Sequence, residues 1–271
     1  MTIAEIRGKI SDTGTNLSER MEDLLTSDVF GCMRYIPPHL ALLPFLRTGH
    51  SIHGDTLAVP DRPVRVHYAF WPWISQAGRN PCEPDVVIGL ETEGSQVEVV
   101  LVEAKYLSGI SSDEDERPEP NDQLAREVDN LQGLSCATLH WDAHLRIRSR
   151  ALLFVTQDLG IPRDSLDASL REYRSKRNAE AALYWTSWRH LPSILEASLE
   201  GPSSVQSSAA ISDMLALLLR KDLVMFTGVQ RVERHFSIPT FYSTPVASGY
   251  SWPVIPDPMQ IKYSYEVSSH V

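Results

Sequence analysis

Asp85, Glu103 and Lys105 are the residues of this chain whose types and spacing suit chemistry. Pro84-Asp85 opens a β-branched run, Val86-Val87-Ile88, and Glu103-Ala104-Lys105 closes a second run, Val97 to Val102. Between them the polar stretch Glu91 to Gln96, with Gly94 and Ser95, suits a tight reversal, so residues 84–105 predict a β-hairpin. Glu98 apart, the apolar runs are continuous, which predicts strands covered on both faces. Side chains two apart on a strand share a face. Glu103 and Lys105 therefore point one way, while Ala104 points the other and is small enough to let a helix pack behind it. Asp85 joins the pair from across the hairpin. Two carboxylates are hard oxygen donors of the kind that Mg²⁺ takes, usually with several waters retained. A metal-bound water beside a cation suits phosphodiester hydrolysis.

The competing reading is a structural ion pair, Glu103 with Lys105, next to an Asp in a turn. Fully exposed, such a pair contributes about 0 to 1 kcal/mol. The apolar flanks argue against full exposure. Two acids brought to ~4 Å repel by roughly 4 kcal/mol at an effective dielectric near 20. That repulsion raises a carboxylate pKa unless a cation offsets it, and one lysine offsets only part.

The spacing Pro84-Asp85, then 17 residues, then Glu103-Ala104-Lys105 resembles the signature of the PD-(D/E)XK nuclease superfamily. The resemblance implies a restriction-endonuclease-like α/β core: a helix, a three-stranded meander, a second helix and a further strand. Residue by residue, it makes Asp85 and Glu103 metal ligands, lends the Ala104 carbonyl as a third, and gives Lys105 the task of orienting or polarising the attacking water. Superfamily members often carry a glutamate on the first helix facing the metal, and Glu22 is the matching choice, with Glu19 one turn earlier as the alternative. A polar residue on the second helix, often glutamine, approaches the site in the superfamily; Gln123 is the matching position. For Glu22 and Gln123 alike, a solvated helix residue is the competing view. Glu22-Asp-Leu-Leu-Thr-Ser-Asp-Val-Phe-Gly31, followed by Arg34-Tyr35-Ile36-Pro37, also resembles bacterial members linked to restriction or phage defence. The implied cofactor is Mg²⁺ or Mn²⁺, and the implied substrate is DNA.

The elements that must position these residues can be read along the chain. Met21, Leu24 and Leu25 form the apolar stripe of a helix within residues 16–35, which Pro37-Pro38 ends. Val64 to Ile74 reads as the first strand of the meander, with Phe70, Trp71 and Trp73 as packing residues. Beyond Lys105, Ser108, Gly109, Ser111 and Ser112 could contact phosphate or simply mark a strand exit. Asn121 or Asp122 caps a helix through about Leu134, with Leu124, Val128 and Leu131 inward. A strand at 147–157 follows, parallel to its neighbour through the helical crossover. Then come a helix at 164–176, a strand at 181–188 and a short helix at 191–199. Serine-rich 201–208 reads as a linker, with an apolar helix at 211–223 and a proline-bearing tail from Thr227. These boundaries predict a nuclease-like domain over 1–200 and a C-terminal extension over 201–271, packed on the core or on a partner.

Composition bounds the rest. Apolar residues are 42% and charged residues 22% of 271, a globular balance. No run approaches the ~20 apolar residues of a membrane helix. The N-terminal residues lack a signal-peptide core, and Cys32, Cys82 and Cys136 are odd in number and scattered, so a cytoplasmic location without disulfides is expected. His50 with His53, and His140 with His144, lack the companions that would complete a metal-ligand spacing. The net charge of −10 sits awkwardly with nucleic-acid binding, which rests on cations at phosphates. Basic residues nevertheless cluster at Arg146, Arg148 and Arg150 and from Arg163 to Arg177, and a partner subunit or a second copy could supply more surface. A metal-dependent DNA nuclease is the leading expectation. A nuclease-like fold retained as a non-catalytic interaction or effector-binding subunit is the alternative.

Overall fold

The computed structural model describes residues 17–107 and 118–225, with side chains from Met21 onward. The chain divides into two compact units, Met1–Thr227 and Gly228–Val271, and the described residues all lie in the first. The side chain of Glu19, the stretch Ser108 to Ser112 and the tail from Thr227 fall outside the described residues.

The β-branched runs form the hairpin that their pattern predicts. Strand β2 (Val86–Thr92) pairs antiparallel with β3 (Gln96–Ala104), Val86 opposite Val102 and Thr92 opposite Gln96. On its other edge β2 pairs antiparallel with β1 (Arg65–Phe70). Strand β4 (Arg146–Thr156) lies parallel to β3, and β5 (Leu183–Ser187) lies parallel to β4. The result is an α/β unit around an open, mixed sheet of five strands in the order β1-β2-β3-β4-β5.

Strand alternation divides the apolar residues between two layers. Val86, Ile88, Leu90, Val100, Val102, Ala104, Leu153 and Val155 face one core. It is completed by Leu25, Val29 and Phe30 of α1 (Leu17–Met33) and by the short α2 (Leu42–Leu46). Val87, Val97, Val99, Leu101, Leu152 and Phe154 face the other core, against Leu124, Val128 and Leu131 of α3 (Gln123–Gln132) and Leu166 and Tyr173 of α4 (Arg163–Arg177). Both faces of the central strands are thus dry, as their continuous hydrophobicity requires.

Several boundaries differ from the sequence reading for local reasons. Of the two cap candidates, Asp122 does the capping: its Oδ1 accepts from the Ala125 amide at 3.0 Å. The first meander strand stops at Phe70 because Trp71 takes a left-handed backbone, φ 44°, which breaks the ladder; Ile74 resumes as a lone bridge to Cys82. The serine-rich stretch is no linker along its whole length. Ser204 caps α6 (Val205–Arg220) through the Ser207 amide at 3.1 Å. Ile211, Met214 and Leu218 of α6 then join the first core, beside Leu191 and Leu195 of α5 (Leu191–Glu200). The first part of the expected C-terminal extension therefore shares the main core. Among the described residues no helix is long and apolar enough to cross a membrane, and all three cysteines are free.

Gly89, in the middle of β2, shows how closely the loop before β4 presses on the sheet. A Cβ there would stand 2.5 Å from Trp141 Cζ3 and 3.0 Å from Val97 Cγ1, closer than packed carbons tolerate. Gly89→Ala is therefore expected to destabilise the domain by about 1 to 3 kcal/mol. Equilibrium urea unfolding checks this, and an unchanged midpoint would mean that Trp141 moves aside without cost.

Candidate active site at the strand ends

Beyond the last residues of β2 and β3 the two helical layers come together around charged groups. Asp85 immediately precedes the Val86–Val102 pair and Glu103 immediately follows it, so the hairpin register sets the two acids side by side. Asp85 is held by fixed donors: the Ala104 amide donates to Oδ2 at 2.8 Å and the Trp71 indole Nε1–H donates to Oδ1 at 3.0 Å. The Trp71 amide also donates to the Asp85 carbonyl at 2.9 Å. A positive φ at a bulky aromatic residue stores strain, and such strain persists where surrounding contacts over-determine it. Here it turns the indole N–H onto the acid.

Lys105 occupies the centre. Its Nζ lies 2.8 Å from Glu103 Oε1 and 3.2 Å from Glu22 Oε1. Glu22 comes from α1, where it is buried rather than solvated, and its Oε2 accepts from the Tyr106 amide at 3.0 Å. From the other layer, Gln123 in the first turn of α3 donates through Nε2 to Glu103 Oε1. All five residues named from the sequence for their side chains, Asp85, Glu103, Lys105, Glu22 and Gln123, are therefore brought to one place. Ala104, expected to lend its carbonyl, is fully buried between them. The ion pair of the competing reading is also present, with Glu103 buried and Lys105 partly so.

Two participants escaped the sequence reading. Trp71, a packing residue by its sequence context, does pack, but it also holds Asp85. Phe70 packs as expected, whereas Trp73 stands 64% exposed. The other missed residue is Glu127, one turn beyond Gln123 and only 1% exposed. Its signal was present in the sequence: a glutamate among the inward positions Leu124, Val128 and Leu131, four residues from Gln123. The histidine pairs gather no ligand set: His140 and His144 are exposed, and His50 bridges to Trp185 of β5 through paired backbone bonds.

Four carboxylates, from Glu22, Asp85, Glu103 and Glu127, thus share one ammonium. Burial first, and then the Glu103 charge, push the Asp85 carboxyl well above its ordinary pKa, against the opposing pull of Lys105. Burial and Glu103 push Glu127 up in the same way. For Lys105, burial alone would lower the pKa, but Glu103, Glu22 and Asp85 outweigh it and hold the amine above its usual range. Lys105 is therefore an ammonium at any ordinary pH, a donor and not a base.

Such a set is short of positive charge, and its donors are hard oxygens, which suits a divalent cation of the Mg²⁺ type. Among the described residues no three His, Cys, Asp or Glu side chains are grouped so as to hold an ion between them. A cation here would therefore take no more than a pair of these carboxylates, with water completing its shell. No protein-family model, curated protein or solved structure matches the chain.

The raised carboxyls have a sign that can be checked. Asp85 and Glu127 bind protons more tightly folded than unfolded. The stability this supplies is fully present below about pH 4, the ordinary carboxylate range, and is lost as pH rises through the raised folded values. Chelator-treated protein is expected to melt at lower temperature at pH 8 than at pH 5 in scanning calorimetry, with a flatter dependence in Asp85→Asn. An equal slope in that variant would trace the effect to overall charge instead. Trp71→Phe, which removes a donor to a buried carboxylate, is expected to cost about 1.5 to 3 kcal/mol in urea unfolding. A negligible change would make the indole bond incidental.

Proposed function

We propose that the protein is a divalent-metal-dependent nuclease of the PD-(D/E)XK type that hydrolyses DNA phosphodiesters. The observation that carries this reading is the Lys105 ammonium set between Glu103 and Glu22 beside Asp85, at the ends of paired strands. An α/β sheet with a helix, three antiparallel strands, a helix and a parallel strand in that order supports the restriction-endonuclease-like assignment. A role in bacterial restriction or phage defence follows from the resemblance of the first helix.

Asp85 and Glu103, with the Ala104 carbonyl, are the residues that would hold Mg²⁺ or Mn²⁺. Bound there, the cation supplies charge to the phosphate oxygens and acidity to a water. Lys105, being permanently protonated, donates hydrogen bonds to the attacking water or to a phosphate oxygen, where charge grows in the transition state. Gln123 restrains Glu103 through its amide, and Trp71 with the Ala104 amide restrains Asp85, so both acids are oriented before substrate arrives. Glu22 fixes Lys105 from the opposite layer.

One set of observations favours the non-catalytic alternative. Basic residues that might have met DNA each have an acidic neighbour in the same chain, which offsets their charge at the surface: Arg171 with Asp167, Arg174 with Glu180, Arg177 with Asp129, and Arg148 with Glu98. On that reading the buried charges stabilise a surface that binds a protein or effector.

Lys105→Met separates the two. On the nuclease reading it lowers single-turnover cleavage of plasmid DNA by about 3 to 4 kcal/mol, or two to three orders of magnitude, while Mn²⁺ affinity measured by calorimetry stays equal or rises. In chelator both readings expect a lower melting temperature, since a buried ion pair that loses one partner costs about 3 to 5 kcal/mol. A parent protein that leaves DNA intact with Mg²⁺ and Mn²⁺ would remove the nuclease reading.

A further inference from the structure

We propose that Glu127, to which neither the strand motif nor the resemblance gives a role, forms the cation seat together with Glu103, and that Glu22 serves Lys105 instead of the cation. The inference rests on the divalent-cation reading above and assigns its ligands differently.

It follows from asking where each buried carboxylate oxygen finds its donor. Glu22 is satisfied at both oxygens, by Lys105 Nζ at 3.2 Å and the Tyr106 amide at 3.0 Å. Asp85 is satisfied at both, by the Trp71 indole and the Ala104 amide. Glu103 Oε1 receives Lys105 and Gln123. Glu127 differs. Its Oε1 has one long contact, 3.4 Å from Gln123 Nε2, and its Oε2 has no hydrogen-bond partner although it is buried.

Of the other polar residues that α3 buries, the charged one is fully matched, and Asn130 leaves only a neutral amide oxygen, Oδ1, without a partner. Asp129 receives Arg177 through two nitrogens, and the Asn130 amide donates to the Asn80 and Arg126 carbonyls. Glu127 alone of these acids faces a second carboxyl, that of Glu103, at hydrogen-bonding range. Two carboxylates are both acceptors, so they bond only through something positive between them, a proton or a metal ion. Gln123, whose amide reaches both acids, sets their spacing from the same helix face. Two carboxylates with water completing the shell are what Mg²⁺ or Mn²⁺ ordinarily takes from a protein. A neutral core residue would serve packing better at position 127. The pairing therefore gives α3, and not only the strand ends, a share in holding the ion.

The test uses the full chain at pH 7.5, with Mn²⁺ alone as the probe, followed by titration calorimetry and by the Mn²⁺-dependent rise in melting temperature. Glu127→Gln keeps the shape and removes the charge. Expected are at least a tenfold loss of Mn²⁺ affinity, loss of most of the thermal rise, and a metal-free melting temperature no lower than the parent's. Glu22→Gln is expected to lose no more than threefold. Glu127→Asp, which withdraws the carboxylate by one methylene, is expected to fall between parent and Glu127→Gln, and it decides the matter should Glu127→Gln fail to fold. Glu127→Gln binding within threefold of the parent overturns the inference and leaves the nuclease reading standing. Equal losses in Glu127→Gln and Glu22→Gln overturn the division of roles. A parent that binds no Mn²⁺ overturns the inference and the cation reading together. Loss in Glu127→Gln, with no DNA cleavage by the parent, keeps the seat and removes the nuclease.

Discussion

The Lys105 ammonium, held between Glu103 and Glu22, is the interaction on which the rest of the site depends. Acids gathered at the end of a sheet repel one another more strongly the less water reaches them. A single fixed cation makes the arrangement tolerable without neutralising it. It also joins layers, because Glu22 belongs to α1 on one face of the sheet and Glu103 turns toward α3 on the other. The residual deficit of positive charge is then a property of the fold, set before any ion binds.

The scaffold around that pair is built to keep it in place. The antiparallel register of β2 and β3 aligns Asp85 with Glu103, and the parallel register of β3 and β4 anchors the strand exit, where the Lys105 amide donates to the Val155 carbonyl at 2.7 Å. Trp71 gives up regular strand geometry to bring its indole to Asp85. Dry cores on both faces surround the polar cluster, so its hydrogen bonds are worth more, and any unmatched group costs more, than they would at a surface. Glu127 Oε2 is a fully buried carboxylate oxygen of the cluster that is left unmatched.

Much of this was legible in the chain. Continuous β-branched runs either side of a polar turn specify a doubly covered hairpin, since no other arrangement buries both rows of side chains. Period-two alternation puts Glu103 and Lys105 on one face and Ala104 on the other. The inward stripe of α3, its cap and the approach of Gln123 follow from helical spacing. Composition was the weaker guide: serine near position 204 signals a linker by frequency but acts as a helix cap, and the count of arginines between 146 and 177 does not show the acidic neighbours that several of them meet at the surface.

By itself, then, the sequence determined the local elements, the faces they bury and the identity of the strand-end acids and lysine, because these depend on periodicities of two and 3.6 residues that neighbours along the chain express. Only the tertiary structure decided which acid meets which donor. That Glu22 rather than Glu127 is satisfied, that Trp71 is a clamp as well as a core residue, and that Lys105 answers to both helical layers all depend on distances between residues tens of positions apart. Those distances are set by the packing of helices onto a sheet, and no pattern within a single segment encodes them.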